Sequence, residues 1–192
     1  MKNMNTLIMQ TVLERLVSLL RCEIRHHLVE HGLQPVQFDA LYYLSVCNRY
    51  SDTPKAVTEF LGLTKGTVSQ SIKVLENKGL VVKIPDKEDK RVTHLQVTIE
   101  GKQLIEKLMP SVLLNAYCEE SGQQEQQAII DMLTGMLRRI QEMHGFKTFG
   151  QCSTCTHNLK KSEREYFCNL TQEPLTPAET KLICREHELP QT

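Results

Sequence analysis

Leu61-Gly62-Leu63-Thr64-Lys65-Gly66-Thr67-Val68-Ser69-Gln70-Ser71-Ile72-Lys73-Val74-Leu75-Glu76-Asn77-Lys78-Gly79-Leu80 is the stretch on which the fold turns. Thr64 is a hydroxyl N-cap, and the helix it starts carries Val68, Ile72 and Leu75 on one face. Gly79 offers the left-handed cap that ends it, with Leu80 folding back. Just before it, Thr53-Pro54 starts a shorter helix through Ala56, Val57, Phe60 and Leu61, which stops at Gly62. Two helices joined by a turn of three or four residues with a glycine form a helix-turn-helix unit.

The period then changes. Leu80, Val82 and Ile84 alternate with Val81 and Lys83, and Val92 to Thr98 again reads as a strand. Between them lies the polar run Pro85-Asp86-Lys87-Glu88-Asp89-Lys90-Arg91, so the pair predicts a β-hairpin. The face of helix 64–78 opposite its apolar stripe holds Gly66, Gln70, Lys73 and Asn77, flanked by Thr67 and Ser69. Such short polar groups near a helix N-terminus suit base reading in a major groove. Lys65, Lys73, Lys78 and Lys83 stand against Glu76 alone in this window. This local excess matters because the whole chain is neutral, with 23 basic and 23 acidic residues among 192.

Outward from this unit the chain reads as helical. Leu13, Leu16, Leu20, Ile24 and Leu28 set a helix over 6–31, ended by Gly32. A second runs from about Pro35 to Asn48, with Phe38, Leu41, Leu44 and Tyr42 facing inward. Thr98 caps a helix from Ile99 to about Tyr117. A last one reaches His144 with the stripe Ile129, Leu133, Met136, Leu137 and Ile140. The stripes of 6–31 and 99–144 are longer than a small winged unit can cover, so they call for a two-fold partner.

The order and spacing of several pieces together resemble the MarR family of bacterial transcriptional regulators. They are Leu33-Gln34-Pro35-Val36-Gln37-Phe38-Asp39-Ala40-Leu41, Leu61 to Ser69, Leu75 to Val81, the wing Asp86 to Arg91, and Leu95-Gln96-Val97-Thr98-Ile99-Glu100-Gly101. The resemblance covers about residues 10–145. It implies a mainly α protein with a small β-wing, in which a winged helix-turn-helix over 35–98 is joined to intertwined dimerisation helices over 1–34 and 99–146. It implies a homodimer on double-stranded DNA with an inverted repeat, the recognition helix in the major groove and the wing in the minor groove. Carried onto this chain, Lys65, Thr67, Ser69, Gln70 and Lys73 face bases or phosphates. Arg91 becomes the wing-tip cation, with Asp89 bracing the turn. The family wing commonly has a basic residue where this chain has Glu88, which shifts weight to Lys87 and Lys90.

Residues 147–192 form a cysteine-rich annex beyond that pattern. Four of the seven cysteines fall here, as C-x2-C, twelve residues, C, fifteen residues, C-x2-H. In a reducing compartment, clustered thiols point to metal or redox chemistry before disulfides. The candidate ligands are Cys152, Cys155, Cys168, Cys184 and His187. Four thiolates suit an iron–sulfur cluster, the first reading, and three thiolates with His187, or four thiolates, suit zinc. Thr176-Pro177-Ala178-Glu179 is a capping box and predicts a helix of about ten residues carrying Cys184 and His187 on one side. The annex directly follows the last dimer helix, so a change at the metal is expected to shift the spacing of the two recognition helices. Cys47 and Cys118 read as small buried hydrophobes.

No apolar run approaches the ~18 residues of a membrane span, and the N-terminus lacks a signal-peptide core, which predicts a cytoplasmic protein. No phosphate-binding glycine loop, nucleophile elbow or HExxH motif is present, so nothing supports an enzyme.

Overall fold

The computed structural model describes residues 3–190; the first two residues of the 1–34 segment and the last two of the annex lie outside them. Seven α-helices and five short strands follow in order: α1 Met4–Glu30, α2 Pro35–Val46, α3 Pro54–Leu61, α4 Lys65–Asn77, β1 Val81–Pro85, β2 Thr93–Val97, α5 Ile99–Leu108, α6 Val112–Glu120, α7 Gln123–His144, β3 Asn158–Lys160, β4 Tyr166–Cys168 and β5 Glu173–Leu175. None of the described helices is long and apolar enough to cross a membrane.

The helix-turn-helix forms for the reasons its local sequence gives. Thr53 Oγ1 accepts from the Ala56 N–H and starts α3, while Gly62 ends it with φ +63°. Thr64 Oγ1 accepts from the Thr67 N–H and starts α4. Gly79 at φ +69° closes α4, and the Leu80 N–H returns to the Leu75 carbonyl. β1 and β2 pair antiparallel from Val81↔Val97 to Pro85↔Thr93 and form the wing. The core beneath is one cluster including Phe38, Leu41, Tyr43, Val57, Val68, Ile72, Leu75, Val81 and Leu95. Gly101 lets α5 start against this hairpin, since a Cβ there would stand 2.8 Å from Val97 Cγ1 and closer still to the Leu80 carbonyl oxygen.

Several expectations need correction. The helix from Ile99 does not continue to Tyr117. Pro110 lacks the N–H that a helix interior needs, Met109 before it is extended, and a new helix starts at Val112 behind Ser111. On α2, Tyr42 packs half-buried against the core as expected, and Tyr43, which the expected inward face leaves out, is fully buried. Tyr43 falls on the buried face Ala40, Tyr43, Leu44 and Cys47, and its ring meets Phe60 at 4.4 Å and Phe149, edge-on, at 6.0 Å. The capping box at Thr176 forms, with Glu179 Oε2 accepting from the Thr176 N–H and Thr176 Oγ1 from the Glu179 N–H. It starts only a 3-10 turn, Glu179–Lys181, because Leu182 is extended and the Ile183 N–H pairs with the Val46 carbonyl.

The stripes read as dimer surfaces are only partly exposed in the single chain: Leu28 of the α1 stripe is buried, and Leu13, Leu20, Ile24 and, on α7, Met136 are half-buried. Leu7, Ile8, Val12 and Leu16 of α1 are uncovered, as are Ile129, Leu133, Leu137 and Ile140 of α7. Cys47 is buried as expected, but Cys118 is exposed on α6.

Candidate functional site

The first candidate site is the outer face of α4 and the wing. Burial of Val68, Ile72 and Leu75 turns Lys65, Thr67, Ser69, Gln70 and Lys73 outward, and all five are exposed. Lys87, Lys90 and Arg91 are exposed at the wing turn. Asp86 Oδ1 accepts from the N–H groups of Glu88 and Asp89, which shapes that turn. Those bonds, with that from His94, hold the Asp86 carboxyl near pKa 2. The Arg91 guanidinium lies across both Asp89 carboxylate oxygens at 2.9 and 3.0 Å, so Asp89 both braces and partly neutralises the wing tip. Two lysines of the basic window are engaged elsewhere. Lys83 pairs with Glu76 at 2.7 Å, and Lys78 Nζ donates to the His31 carbonyl.

Sequence reasoning missed the residue that fixes the wing. His94 on β2 faces Asp52 Oδ1 through Nδ1 at 2.5 Å and Asp86 Oδ2 through Nε2 at 3.0 Å. The imidazole thus ties the wing to the α2–α3 loop. The bond to Asp52 raises the His94 pKa above its ordinary value, burial opposing and Asp86 adding to it.

The second candidate site is in the annex. The 3-10 turn Cys152–Thr154 starts on Cys152 with Cys155 just past its end, β4 ends on Cys168, and Cys184 follows the strand-like Leu182-Ile183. Cys152, Cys155, Cys168 and Cys184 line one cavity of about 30 Å³, together with Asn48, Tyr50, His157, Asn158 and Leu175. Cys152 is buried and the other three thiols are half-buried. Asn48 Nδ2 donates to the Cys152 sulfur at 3.3 Å, and the Glu188 N–H donates to the Cys155 sulfur at 3.5 Å. A hydrogen bond shared between Cys152 and Cys184 lowers the Cys184 pKa and raises that of Cys152. Amide donors aimed at sulfur favour thiolates, the form that binds soft metals. As placed, no three His, Cys, Asp or Glu side chains among the described residues already stand in the geometry of one ion.

His187 is not brought to this cavity. With no helix to align it with Cys184, its ring is buried on the other side, Nδ1 facing Thr148 Oγ1 at 2.6 Å and Nε2 facing Thr154 Oγ1 at 3.0 Å. Gly150 makes room for that ring, since a Cβ there would lie 2.6–2.7 Å from it. His187 is thus a strut of the annex rather than a neighbour of its thiols.

The annex is laced to the winged unit. The Asn48 N–H donates to the Ile183 carbonyl and the Ile183 N–H to the Val46 carbonyl, while inside the annex the Cys152 N–H donates to the Leu182 carbonyl and the Cys184 N–H to the Gly150 carbonyl. Arg49 bridges Glu173 and Glu179 at 2.7 and 2.6 Å. Arg185 forks onto both Glu59 carboxylate oxygens on α3, at 2.6 and 2.9 Å.

Residues 31–92 match the profile of the MarR family. The HTH-type transcriptional regulator YwaE of Bacillus subtilis is 29% identical over 139 residues, 72% of this chain and 79% of the relative. MhqR of the same organism, also an HTH-type transcriptional regulator, is 27% identical over 130 residues, 67% of this chain and 86% of the relative. Two solved structures show the same fold. CouR of Rhodococcus jostii RHA1, bound to p-coumaroyl-CoA, has a TM-score of 0.55 at 22% identity, covering 67% of this chain and 90% of CouR. The DNA complex of MepR from S. aureus has a TM-score of 0.53 at 23% identity, covering 69% of this chain and 98% of MepR. The annex thiols lie outside the residues that the family profile matches.

Proposed function

We propose that this chain, whose residues 31–92 match the MarR family profile, is a MarR-type homodimeric repressor that reads an inverted repeat in double-stranded DNA. The observation that carries this reading is the outward face of α4, where Lys65, Thr67, Ser69, Gln70 and Lys73 are exposed beside a two-stranded wing. Hydroxyl, amide and ammonium groups at the start of a helix suit base edges and phosphates. The uncovered apolar residues of α1 and α7 supply the surface that a second copy would bury. A shift assay with the upstream region of its own gene, with light scattering of the free protein, tests both parts. The expected result is a dimer that holds this DNA at a concentration where unrelated duplex is free. A monomer, or equal affinity for any duplex, overturns the reading.

The annex adds a sensor. Its four cysteines take a soft metal group, an iron–sulfur cluster or zinc, whose presence changes DNA affinity. The support is the convergence of Cys152, Cys155, Cys168 and Cys184 on one cavity, with amide donors on two of the sulfurs. When bound, such a group would cross-link four segments of the annex and hold them against α2. Purification without oxygen, followed by measurement of iron, sulfide and zinc and by the same shift assay, tests it. Metal-free protein that takes up neither zinc nor iron overturns the sensor.

A further inference from the structure

We propose that the annex braces the wing, and that Ser51 and Asp52 are the positioning residues through which it supports DNA binding. This rests on the DNA-binding reading above and is independent of any metal. The α2–α3 loop, residues 47–53, stands between annex and wing and belongs to no helix or strand. From the annex, Ile183 pairs with Cys47, and its carbonyl accepts from the Asn48 N–H at 2.9 Å. The Asn48 side chain then spans annex and loop. Its Nδ2 donates to the Cys152 sulfur, while its Oδ1 accepts from the Tyr50 N–H at 3.2 Å and from Ser51 Oγ at 2.7 Å. Ser51 Oγ in turn accepts from the Arg185 N–H at 2.8 Å. Asn48 and Ser51 are both buried. Buried polar groups whose partners are all in place hold one geometry, because water cannot replace a partner that is lost. At the rim, Glu173 accepts from Arg49 and from Tyr50 Oη, exposed contacts that add little.

The next residue serves the other side. The Asp52 carbonyl accepts from the Leu95 N–H at 2.7 Å, and its Oδ1 meets His94 Nδ1, so β2 is held at two consecutive residues. The peptide group that joins Ser51 to Asp52 is itself pinned, since Tyr43 Oη donates to the Ser51 carbonyl at 2.9 Å. A peptide group is planar and stiff, so a displacement of Ser51 carries Asp52 with it. The annex thus reaches β2 through two neighbouring residues, one bonded to Arg185 and the other to Leu95. Lys87, Lys90 and Arg91 sit on the turn between β1 and β2. A wing loosened at β2 has to be ordered again on DNA, which lowers affinity.

The test uses the full-length protein. Ser51→Ala removes the hydroxyl that joins Asn48 to Arg185 and leaves Asp52 in place. Hydrogen exchange resolved by residue should quicken about fivefold or more at the Leu95 amide. The Thr98 amide, which donates to the Leu80 carbonyl at the other end of the hairpin, should keep its parent rate. An unchanged rate at Leu95 overturns the brace, and so does equal quickening at both amides, which is general destabilisation. Affinity for the upstream DNA of its own gene should fall about fivefold or more. The slope of log affinity against log salt should fall with it, as wing cations leave the phosphates. Combined with His94→Gln, the two losses of affinity should overlap, because both act on the hold of Asp52 on β2. Losses that simply multiply overturn the route through Asp52. If Ser51→Ala does not fold, Glu173→Gln takes its place, an exposed annex substitution expected to quicken Leu95 about twofold; no change there overturns the brace. A parent that does not prefer that upstream DNA counts against the repressor reading, and the exchange rates still decide on the brace.

Discussion

The Asn48 amide and the Cys152 sulfur meet at 3.3 Å across 104 residues of chain, which joins the winged unit to the annex by a buried side-chain bond. Asn48 is only 2% exposed and also accepts from Ser51. Removing it leaves a buried hydroxyl short of an acceptor, which costs about 1–3 kcal/mol. Asn48→Ala should therefore loosen the annex before the winged core. Limited proteolysis read by mass spectrometry should show faster cutting between Gly145 and Gln151, with residues 35–98 still protected. Equal protection of both regions would show that the bond does not hold the annex.

A second expectation concerns α4. Gln70 and Lys73 are both exposed on its outer face, but their chemistries differ. An amide can pair with a base edge, whereas an ammonium on a flexible stem meets phosphate as a point charge. Gln70→Ala should weaken binding to the cognate repeat by about 1–3 kcal/mol and leave unrelated DNA almost unaffected. Lys73→Ala should weaken both, and lower the slope of log affinity against log salt by about one. Titrations by fluorescence anisotropy at several salt concentrations distinguish the two. A loss for Gln70→Ala that is equal on both DNAs would remove it from base reading.

The third expectation is one of packing. A methyl group at Gly101 would press on the Leu80 carbonyl and on Val97, which belong to the hairpin itself. Backbone cannot swing aside as a long side chain can. Gly101→Ala should cost about 1–3 kcal/mol, seen as a lower urea midpoint at an unchanged slope. The same substitution at Gly122, where nothing lies within 4 Å, should have little effect and serves as the control.

These cases show where local sequence governs and where it yields. Thr53, Gly62, Thr64 and Gly79 act over four or five residues, so α3, the turn and α4 fall where their caps place them. Pro110 was an equally local signal, and it splits the helix that the apolar spacing had joined. The annex is different, because contacts far apart in sequence decide it. The capping box at Thr176 is formed, yet pairing of Ile183 with Val46 draws the chain out after one turn. With that helix goes the alignment of His187 with Cys184. The rings that Tyr43 meets, Phe60 and Phe149, lie outside α2, the second more than a hundred residues away, so α2 alone could not name them. The His94 clamp was unreadable for the same reason, since Asp52 and Asp86 meet it only once the hairpin has closed.

That clamp makes the wing sensitive to pH, with a definite sign. The His94 pKa is raised in the folded protein, by the bond to Asp52 first and by Asp86 as well. A raised histidine pKa contributes stability in full below the unfolded value of about 6.5, and that contribution is lost as pH rises through the folded value. Asp86, held near pKa 2, stays charged throughout this window. The Asp52 pKa is raised, by burial above all, so titrations should not run far below pH 5. With the ring about one quarter exposed, the pair is worth roughly 1 kcal/mol or less. Replacement by His94→Gln should therefore lower the melting temperature most near pH 6, and the gap to the parent should shrink steadily towards pH 8.5. DNA affinity should follow the same course, since a wing released from the α2–α3 loop must be ordered again on binding. A gap that is constant across this range would show that His94 acts by packing alone, and one that widens with pH would reverse the assigned charge.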